Sequence, residues 1–322
     1  MLKVGVDLND LKLFVRIARL GSISAAARDL SLTPAGASAR LAAFERRLGA
    51  RLLHRTTRQA TPTVDGLAFL PHAEHVLDAA DAARAALGRE QAAPRGTLRV
   101  AAPASFARMH IVPGLPDFCA RYPDLVLDLR ISDSVVDLVE GAFDVAVRYA
   151  ELGDSSFVAR CLAPDRRVLV ASPDYLRERG RANTPDELAG HACLVVGTLD
   201  LWTFLGADGK PIVQRVSPAL RINDGEAVRD AARAGLGIAL MATWCAAEEL
   251  RSGALVPVLP EFPLVSTQTL WALYPSSREL APKVRAFIDW IVDRIGPEPY
   301  WDRGLEALLR FVAGTLVRTT AA

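Results

Sequence analysis

The chain has few cysteines and no long apolar segment. Its 322 residues include four cysteines, none in a Cys-x-x-Cys pair, which suits ordinary thiols in a reducing cytoplasm. The apolar stretch near the N-terminus is interrupted by Lys12 and Arg16, which argues against a secretory signal. No run approaches the roughly 20 apolar residues that a membrane span requires. We therefore expect a cytoplasmic protein without a membrane partner.

The motifs of several common chemistries are missing as well. No Gly-x-Ser-x-Gly nucleophile elbow occurs. Gly235 and Gly237 lack the third glycine of a dinucleotide-binding fingerprint and precede a predicted strand instead of following one. His72 and His75 lie three residues apart, but no further metal ligand is near them in sequence. We expect no catalytic residue, no metal and no cofactor, and therefore no enzyme.

A net charge of only +1 conceals a strong charge asymmetry along the chain. Residues 1–66 contain eleven Lys/Arg and five Asp/Glu, a net charge of +6, so the remaining residues carry −5. A basic segment joined to a weakly acidic body is typical of a DNA-contacting module attached to a sensing domain. Because the local field governs binding, the balanced total does not argue against nucleic acid.

Residues 22–58 predict a helix-turn-helix followed by a basic hairpin. Thr33 is a favourable N-cap for the second helix, and Pro34 suits its first position, where a missing N–H costs nothing. A preceding helix over residues 8–20 and a polar, β-prone segment over residues 55–62 complete a winged helix-turn-helix. The second helix could lie in a major groove with its N-terminal side chains on base edges.

A long alanine-rich stretch over residues 63–90 predicts a single helix. Its apolar residues recur along one seam, formed by Leu67, Leu70, Ala73, Leu77, Ala80 and Leu87. A helix of this kind is marginal alone, and a second copy of it would bury the seam. We therefore interpret this stretch as a dimerisation helix.

From Gly96 onward, apolar strands alternate with helical segments in two cycles. Strands are predicted over residues 97–102, 125–131, 144–149, 167–171, 193–196, 238–242 and 269–274. Helices are predicted over residues 105–121, 135–141, 226–234, 244–251 and 283–295. Strands separated by helices indicate a parallel α/β sheet, and the two cycles indicate two subdomains.

Two groups of positions form a pattern that resembles a known family. The N-terminal group is Leu11-x-x-Phe14, Gly21-Ser22-x-Ser24-x-Ala26-Ala27-x-x-Leu30, Thr33-Pro34, Glu45-x-x-Leu48-Gly49-x-Arg51-Leu52-Leu53-x-Arg55-Thr56-Thr57-Arg58 and Thr63-x-x-Gly66. The C-terminal group includes Gly141-x-Phe143-Asp144-Val145-Ala146-Val147-Arg148, Asn223-Asp224-Gly225 and Gly235-Leu236-Gly237-Ile238. From residue 8 to about 295, the chain resembles the LysR-type transcriptional regulators.

The resemblance implies an α/β multi-domain protein with an N-terminal winged helix-turn-helix, a long linker helix and a C-terminal periplasmic-binding-protein-like domain of two α/β subdomains. The expected divisions are a DNA-binding domain at 6–63, a linker or dimerisation helix at 64–92, an effector-binding domain at 93–296 and a C-terminal extension at 297–322. Within the effector-binding domain, one subdomain is expected at about 97–168 plus 269–296 and the other at 169–268. The implied function is sequence-specific transcriptional regulation controlled by a small-molecule effector bound between the subdomains. The expected partners are double-stranded DNA, that effector, further copies in a dimer or tetramer, and RNA polymerase.

The candidate DNA contacts cluster at the start of the second helix and around the wing. They are Thr33, Pro34, Ala35, Ser38 and Arg40 in the groove, with Arg51, Arg55 and Arg58 on phosphates. Arg40 could read a guanine, or it could be a solvated arginine on the helix surface. Arg55 could instead form a structural ion pair with Glu45. Arg58, in the wing, could enter a minor groove.

The candidate effector contacts lie where strands end near helix N-termini, because free N–H groups there favour anions. They are Ser105, Arg148, Thr198, Asn223 and Asp224. Ser105 could cap its own helix, and Asn223 with Asp224 could serve only as a cap. Arg148 could pair with an effector carboxylate or form a salt bridge across the cleft. The expected effector is an anionic or aromatic metabolite, and Asp144 is expected to be structural.

Two other functions remain open at this point. The α/β body could belong to a small-molecule carrier or an enzyme whose N-terminal module is vestigial. The four cysteines leave room for a redox-sensing regulator, although no paired catalytic cysteines are indicated.

Overall fold

A computed structural model describes residues 6–55, 59–86, 93–133, 143–151, 157–275, 281–305 and 308. The chain divides into two compact units that meet in sequence at Ala93 and Pro94. The helix predicted over residues 135–141, and the candidate residues Arg58 and Leu87, lie outside the described residues. Within those residues, no helix combines the length and apolarity that crossing a membrane demands.

The N-terminal unit is a winged helix-turn-helix followed by a long helix. Its helices are α1 (Leu8–Leu20), α2 (Ile23–Asp29), α3 (Pro34–Leu48) and α4 (Val64–Ala86). Between α3 and α4, strands β1 (Leu53–Arg55) and β2 (Ala60–Pro62) pair antiparallel as the wing. Thr33 caps α3 as predicted, accepting a hydrogen bond from the N–H of Gly36 at 3.1 Å. Gly49 ends α3 with a φ of 70°, a conformation that favours glycine.

The core of this unit depends on small residues where backbones approach closely. Ala27 and Ala37 are fully buried between α2 and α3, so the two helices cross tightly. Leu41 and Phe44 then anchor α3 from behind. At Gly66, a Cβ would lie 2.0 Å from the carbonyl oxygen of Leu52, so the first turn of α4 can approach the wing only with glycine.

Part of the seam predicted on α4 packs inside the N-terminal unit itself. Ala73 is buried in the core of the N-terminal unit, and Leu70 and Leu77 are packed against the same core. Periodicity alone cannot distinguish a face buried by α1 from a face buried by a partner, because both are apolar. Among the described side chains of α4, the large apolar ones that stay exposed are Val64, Leu67 and Val76.

The C-terminal unit contains two five-stranded sheets. The sheet of the first subdomain has the order β4-β3-β5-β14-β6, with β3 (Gly96–Ala102), β4 (Leu125–Ile131), β5 (Val145–Ala150), β6 (Phe157–Pro164) and β14 (Thr269–Pro275). The sheet of the second subdomain has the order β11-β8-β12-β7-β13, with β7 (Arg167–Ala171), β8 (Cys193–Val196), β11 (Pro218–Ile222), β12 (Ile238–Ala242) and β13 (Val256–Val258). A hairpin of β9 (Leu201–Leu205) and β10 (Pro211–Arg215) accompanies the second sheet.

The expectation of parallel sheets is correct only for three consecutive strands at one edge of each sheet. Strands β4, β3 and β5 run parallel, and so do β11, β8 and β12. The other two strands of each sheet, β14 and β6 or β7 and β13, pair antiparallel. These strands flank the two places where the chain crosses between the subdomains. The local sequence does not indicate in which direction a strand runs after such a crossing.

Helices cover these sheets, and one predicted helix is irregular. They are α5 (Ala104–Phe106), α6 (Leu115–Arg121), α7 (Pro173–Arg179), α8 (Gly225–Arg233), α9 (Thr243–Ser252) and α10 (Pro282–Ile295). The helix predicted over residues 105–121 consists of α5, a π-helical turn over Ala107–Ile111, a 3₁₀ turn over Val112–Gly114, and α6. The 3₁₀ turn contains Pro113, where the sequence indicates an interruption.

Candidate functional site

The N-terminal turn of α3 is an exposed surface mounted on a buried base. Thr33, Pro34 and Ala35 are exposed, whereas Ala37, one turn further in, is fully buried. The free N–H groups of such a turn and its partial positive charge favour an approaching phosphate. The first turn of α3 is therefore the part of this helix that a partner can reach.

Glu45 joins α3 to the wing. One of its carboxylate oxygens accepts hydrogen bonds from the N–H groups of Leu52 and Leu53 at 2.9 and 3.0 Å. The other oxygen pairs with the guanidinium of Arg55. Arg55 also lies 3.4 Å from the carbonyl oxygen of Ser38. The structural ion pair considered for Arg55 is therefore present, and a phosphate contact would have to be made by the exposed part of the same guanidinium.

Arg40 is held by an ion pair with α1. Its Nε lies 2.5 Å from Oδ1 of Asp10, a carboxylate of α1 that is 4% exposed. Arg47 pairs with the other oxygen of Asp10. Arg40 is thus neither a freely solvated arginine nor an unpaired one, and reading a guanine would require it to exchange Asp10 for the base. That contact stays a prediction.

The remaining arginine of this group for which a position is described is Arg51. Its side chain is exposed just after α3, and its carbonyl oxygen accepts a hydrogen bond from the hydroxyl of Thr63 at 2.6 Å. The backbone at Arg51 is therefore fixed while the guanidinium stays accessible. Arg51 and Arg55 lie on one connection, between α3 and the wing.

In the C-terminal unit, the candidate effector residues lie at the ends of parallel strands. Ser105 follows β3 and Arg148 lies on β5, while Thr198 follows β8 and Asn223 follows β11. The hydroxyl of Ser105 accepts a hydrogen bond at 3.3 Å from the N–H of Glu226, in the first turn of α8. The carboxyl ends of strands in one subdomain therefore face the N-terminus of a helix in the other.

The expectation that Ser105 caps its own helix is wrong. Pro103 occupies the N-cap position of α5 and makes no side-chain cap, so Ser105 lies inside that helix. Its hydroxyl instead satisfies an N–H at the start of α8. Sequence could not reveal this because the partner is 121 residues away.

Arg108 is the functional candidate that the sequence did not reveal. Its guanidinium lies 2.7 Å from Asp224 and 2.6 Å from Glu226, and so ties the first subdomain to the N-terminus of α8. Burial opposes ionisation of Asp224, but hydrogen bonds from the N–H of Ala227 and from Arg108 hold the pKa of its carboxyl below the ordinary value. Asp224 is both the cap of α8 and half of a bridge between the subdomains.

Arg148 is the candidate with an unused donor. One of its Nη atoms donates to the carbonyl oxygen of Ser132 at 3.3 Å, while the other is buried without a hydrogen-bond partner. Burial lowers the pKa of this guanidinium, and the nearby charge of Asp133 only partly opposes that effect. A buried donor without an acceptor is costly, so this position favours an added anion.

The other candidates have simpler surroundings. Thr198 and Asn223 are exposed side chains at the ends of β8 and β11. Asp144 is buried, accepts the N–H of Arg99 at 2.8 Å and lies 3.1 Å from Nζ of Lys283. The structural role expected for Asp144 is confirmed.

Two family models match the chain. That of the LysR substrate binding domain matches residues 91–296, and that of the bacterial regulatory helix-turn-helix protein, lysR family, matches residues 8–67. The chain belongs to the LysR family of transcriptional regulators. It is a DNA-binding regulator with an effector-binding domain, as the two matched domains require.

Relatives in this family are similar over almost their whole length. The transcriptional regulator CrgA of Neisseria meningitidis serogroup C is 33% identical over 89% of this chain and 96% of its own. DmlR of Escherichia coli K12 is 33% identical over 88% of this chain and 93% of its own. The solved structure of CrgA from Neisseria meningitidis covers 91% of this chain and all of that one, with 31% identity and a TM-score of 0.59. LysR regulators bind DNA and effectors and assemble into oligomers.

Proposed function

We propose that this LysR regulator reads DNA with the first turn of α3 and holds phosphates with the arginines around the wing. Thr33, Pro34, Ala35 and Ser38 would meet base edges, and Arg51, Arg55 and Arg58 would meet phosphates. The observation that carries the proposal is the exposure of this turn on a helix whose inner face is buried. Arg40 is set apart because Asp10 holds it.

Self-association would then set the spacing of two recognition helices. A symmetric pair of chains places them about one helical turn of DNA apart, which matches a pseudo-palindromic site. Because the target is chromosomal DNA, the proposal places the protein in the cytoplasm, with RNA polymerase as its further partner. The named relatives are regulators, which supports a role without catalysis.

We propose a carboxylate as the effector, with Arg148 as its cation. The unused Nη of Arg148 supports an anion, and a carboxylate is the planar anion that a guanidinium binds best. Ser105, Thr198, Asn223 and Asp224 would line the remainder of the cleft. Binding there would favour one arrangement of the oligomer only by the difference in affinity between the two states.

The two buried cysteines give no support to a redox-controlled alternative. All four cysteines are free thiols. Burial raises the pKa of Cys193 to about 11 and that of Cys245 to about 12, so neither forms the reactive thiolate near neutral pH. We therefore retain the ligand-controlled regulator as the single proposal.

Selection of binding sites from a random DNA duplex pool tests the DNA interface. The full-length protein should enrich a pseudo-palindromic site. Ser38→Ala should change the preferred bases, because it alters a side chain on the reading surface. Arg51→Gln should keep the preference but weaken all duplexes, with the slope of log K against log salt reduced by about 1.

Arg177→Gln is the matched control, since Arg177 is an exposed arginine of α7 in the other unit. It should leave the preferred site, the affinity and the salt slope unchanged. Absence of any enriched site would contradict the proposed function. A uniform loss of affinity in Ser38→Ala would remove that residue from base recognition.

Thermal unfolding with a panel of aliphatic and aromatic carboxylates tests the effector class. At least one acid should raise the Tm of the parent protein, whereas its neutral amide should not. Arg148→Gln should abolish the shift, while Arg130→Gln, which alters an exposed arginine of β4, should retain it. An acid that stabilises the parent and Arg148→Gln equally would contradict the role of Arg148.

A further inference from the structure

The chain continues beyond the matched effector domain into a short segment that is buried instead of solvated. The family match ends at residue 296, and the structure describes the chain to residue 305. In this segment the side chains of Trp301, Asp302 and Leu305 are at most 3% exposed. The full burial of an aromatic ring and a carboxylate indicates that the segment packs in one defined position against the rest of the unit.

One side of the segment is attached to the first subdomain. The ring of Trp301 lies 4.7 Å from that of His110 and 5.9 Å from that of Phe106, both close to the end of β3. The hydroxyl of Tyr300 lies 2.6 Å from Nδ1 of His110. Because Nε2 of His110 faces the carbonyl oxygen of Trp244, which can only accept, Nε2 carries the proton and Nδ1 accepts from Tyr300.

The other side of the segment is attached to the crossing between the subdomains and to the second subdomain. The carboxylate of Asp302 lies 3.0 Å from Nη1 of Arg166, on the crossing between β6 and β7. Burial raises the pKa of this carboxyl, and the nearby hydroxyl of Thr243, the first residue of α9, opposes that effect. From the same helix, Arg251 donates to the carbonyl oxygens of Trp301 and Arg303 at 2.6 and 2.9 Å.

We propose that residues 300–305 are a strap that fixes the angle between the two subdomains and so limits closure of the effector cleft. Two chain crossings, at residues 164–167 and 258–269, already connect the subdomains, and two connections alone permit hinge bending. The strap adds buried contacts on both sides to these crossings and to the direct packing of Trp244 on Phe106 and Tyr149. That the cleft binds an effector rests on the proposed function, whereas the fixed angle between the subdomains does not.

The strap differs in character from the Arg108 salt bridge, which is one of several other contacts between the subdomains. The pair of Arg108 with Asp224 and Glu226 is solvent-accessible, so salt screens it. The strap is held by tilted and edge-on contacts between aromatic rings and by a carboxylate that is 1% exposed. It therefore continues to hold the subdomains together at salt concentrations that weaken the Arg108 bridge.

Spin-label distances between the subdomains test the strap directly. Cys119 is an exposed native cysteine on α6, and Glu178→Cys places a second label on the exposed surface of α7. Cys161→Ser removes the other exposed thiol, while the buried Cys193 and Cys245 stay unlabelled. Labelled chains are assembled with a large excess of unlabelled chains, so that distances within one chain dominate.

The variants are chosen so that both sides of the strap are released separately. Trp301→Ala frees it from the first subdomain, and Asp302→Ala frees it from the crossing between the subdomains. Arg251→Gln weakens the attachment to the second subdomain without opening a cavity. We expect each variant to lose the single narrow distance peak at high salt, and the double variant Trp301→Ala/Asp302→Ala to be no broader than either single one, since a strap fails when one end is released.

Two controls separate a strap from ordinary packing. Val195→Ala opens a cavity in the sheet of the second subdomain and lowers the Tm, but it should leave the narrow distance peak unchanged. Arg233→Gln alters an exposed arginine of α8 and should change neither quantity. A narrow peak retained in all three strap variants, or lost equally in Val195→Ala, would overturn the strap. Because the measurement uses neither DNA nor effector, that result would leave the proposed function standing.

Discussion

At the residue scale, buried carboxylates decide which arginines are available to a partner. Asp10 engages Arg40 and Arg47, Glu45 engages Arg55, and Glu74 engages Arg19, so four arginines of the N-terminal unit have buried acidic partners. The net charge of that unit therefore overstates the charge it can direct at DNA. Which arginines can bind DNA therefore depends on acidic side chains that do not themselves face the major groove.

Asp10→Asn should tighten binding to any duplex and steepen the dependence on salt. The change releases Arg40 and Arg47, and each additional phosphate contact adds about 0.9 to the magnitude of the slope of log K against log salt. Titration of an arbitrary duplex at several salt concentrations measures both effects. Asp29→Asn is the matched control because it makes the same charge change but releases only Arg16, on α1. Equal effects of the two variants would contradict a specific role of Asp10.

At the element scale, the turn that follows β3 holds a histidine kept neutral by its surroundings. Burial lowers the pKa of His110 to about 4, the hydrogen bond to the carbonyl of Trp244 opposes this, and the charge of Arg294 adds to it. The groups facing the ring are the guanidinium of Arg294, from α10, and the hydroxyl of Tyr300. Protonation of the folded protein at this ring is therefore strongly disfavoured.

The free energy of unfolding should fall as the pH is lowered from 6.5 towards 4. An unfolded histidine binds its proton near pH 6.5 but His110 in the folded chain only near pH 4, so acid favours the unfolded state by up to about 3 kcal/mol. Denaturant unfolding between pH 6.5 and 5 should show a weaker pH dependence in His110→Gln. His72→Gln, at an exposed position of α4, should keep the dependence of the parent. An unchanged dependence in His110→Gln would contradict this origin.

The elements of the fold could be predicted where local chemistry determines them. Thr33 with Pro34 marks the start of α3, and the apolar runs of β4 and β8 have the bounds that their sequences predict. Strand β6 and the hairpin of β9 and β10 were missed, because their partners and burial come from distant segments. For the same reason, Ser105 and Arg148 could be selected as candidates, but the bond from Ser105 to α8 and the unused donor of Arg148 could not.

At the scale of the whole molecule, the exposed face of α4 is the surface on which we expect self-association to depend. Val64, Leu67 and Val76 are apolar and exposed, whereas the opposite face of the same helix packs on the N-terminal core. A second copy of α4 is the occupant expected for this family. The division of α4 into two apolar faces explains why its sequence has no single polar side.

Leu67→Glu should weaken self-association and, with it, affinity for a two-half-site operator. A charge in an apolar contact costs several kcal/mol, while in the isolated chain the residue is 61% exposed and its change should leave the Tm nearly unaltered. Sedimentation at several protein concentrations measures the shift to smaller species. Leu199→Glu, at another exposed leucine, should leave the assembly intact. An unaltered oligomer in Leu67→Glu would exclude this face from the interface.

The order β4-β3-β5-β14-β6 has a consequence for how the protein is made. Strand β6 bonds only to β14, which the ribosome delivers more than a hundred residues later. Until then, β5 and β6 both carry an unsatisfied edge, and the growing polypeptide exposes them while the second subdomain is still being synthesised. A nascent chain stalled before residue 269 should therefore be a good substrate for chaperones and proteases, whereas the winged N-terminal module, whose strands pair only with each other, can fold as soon as it emerges.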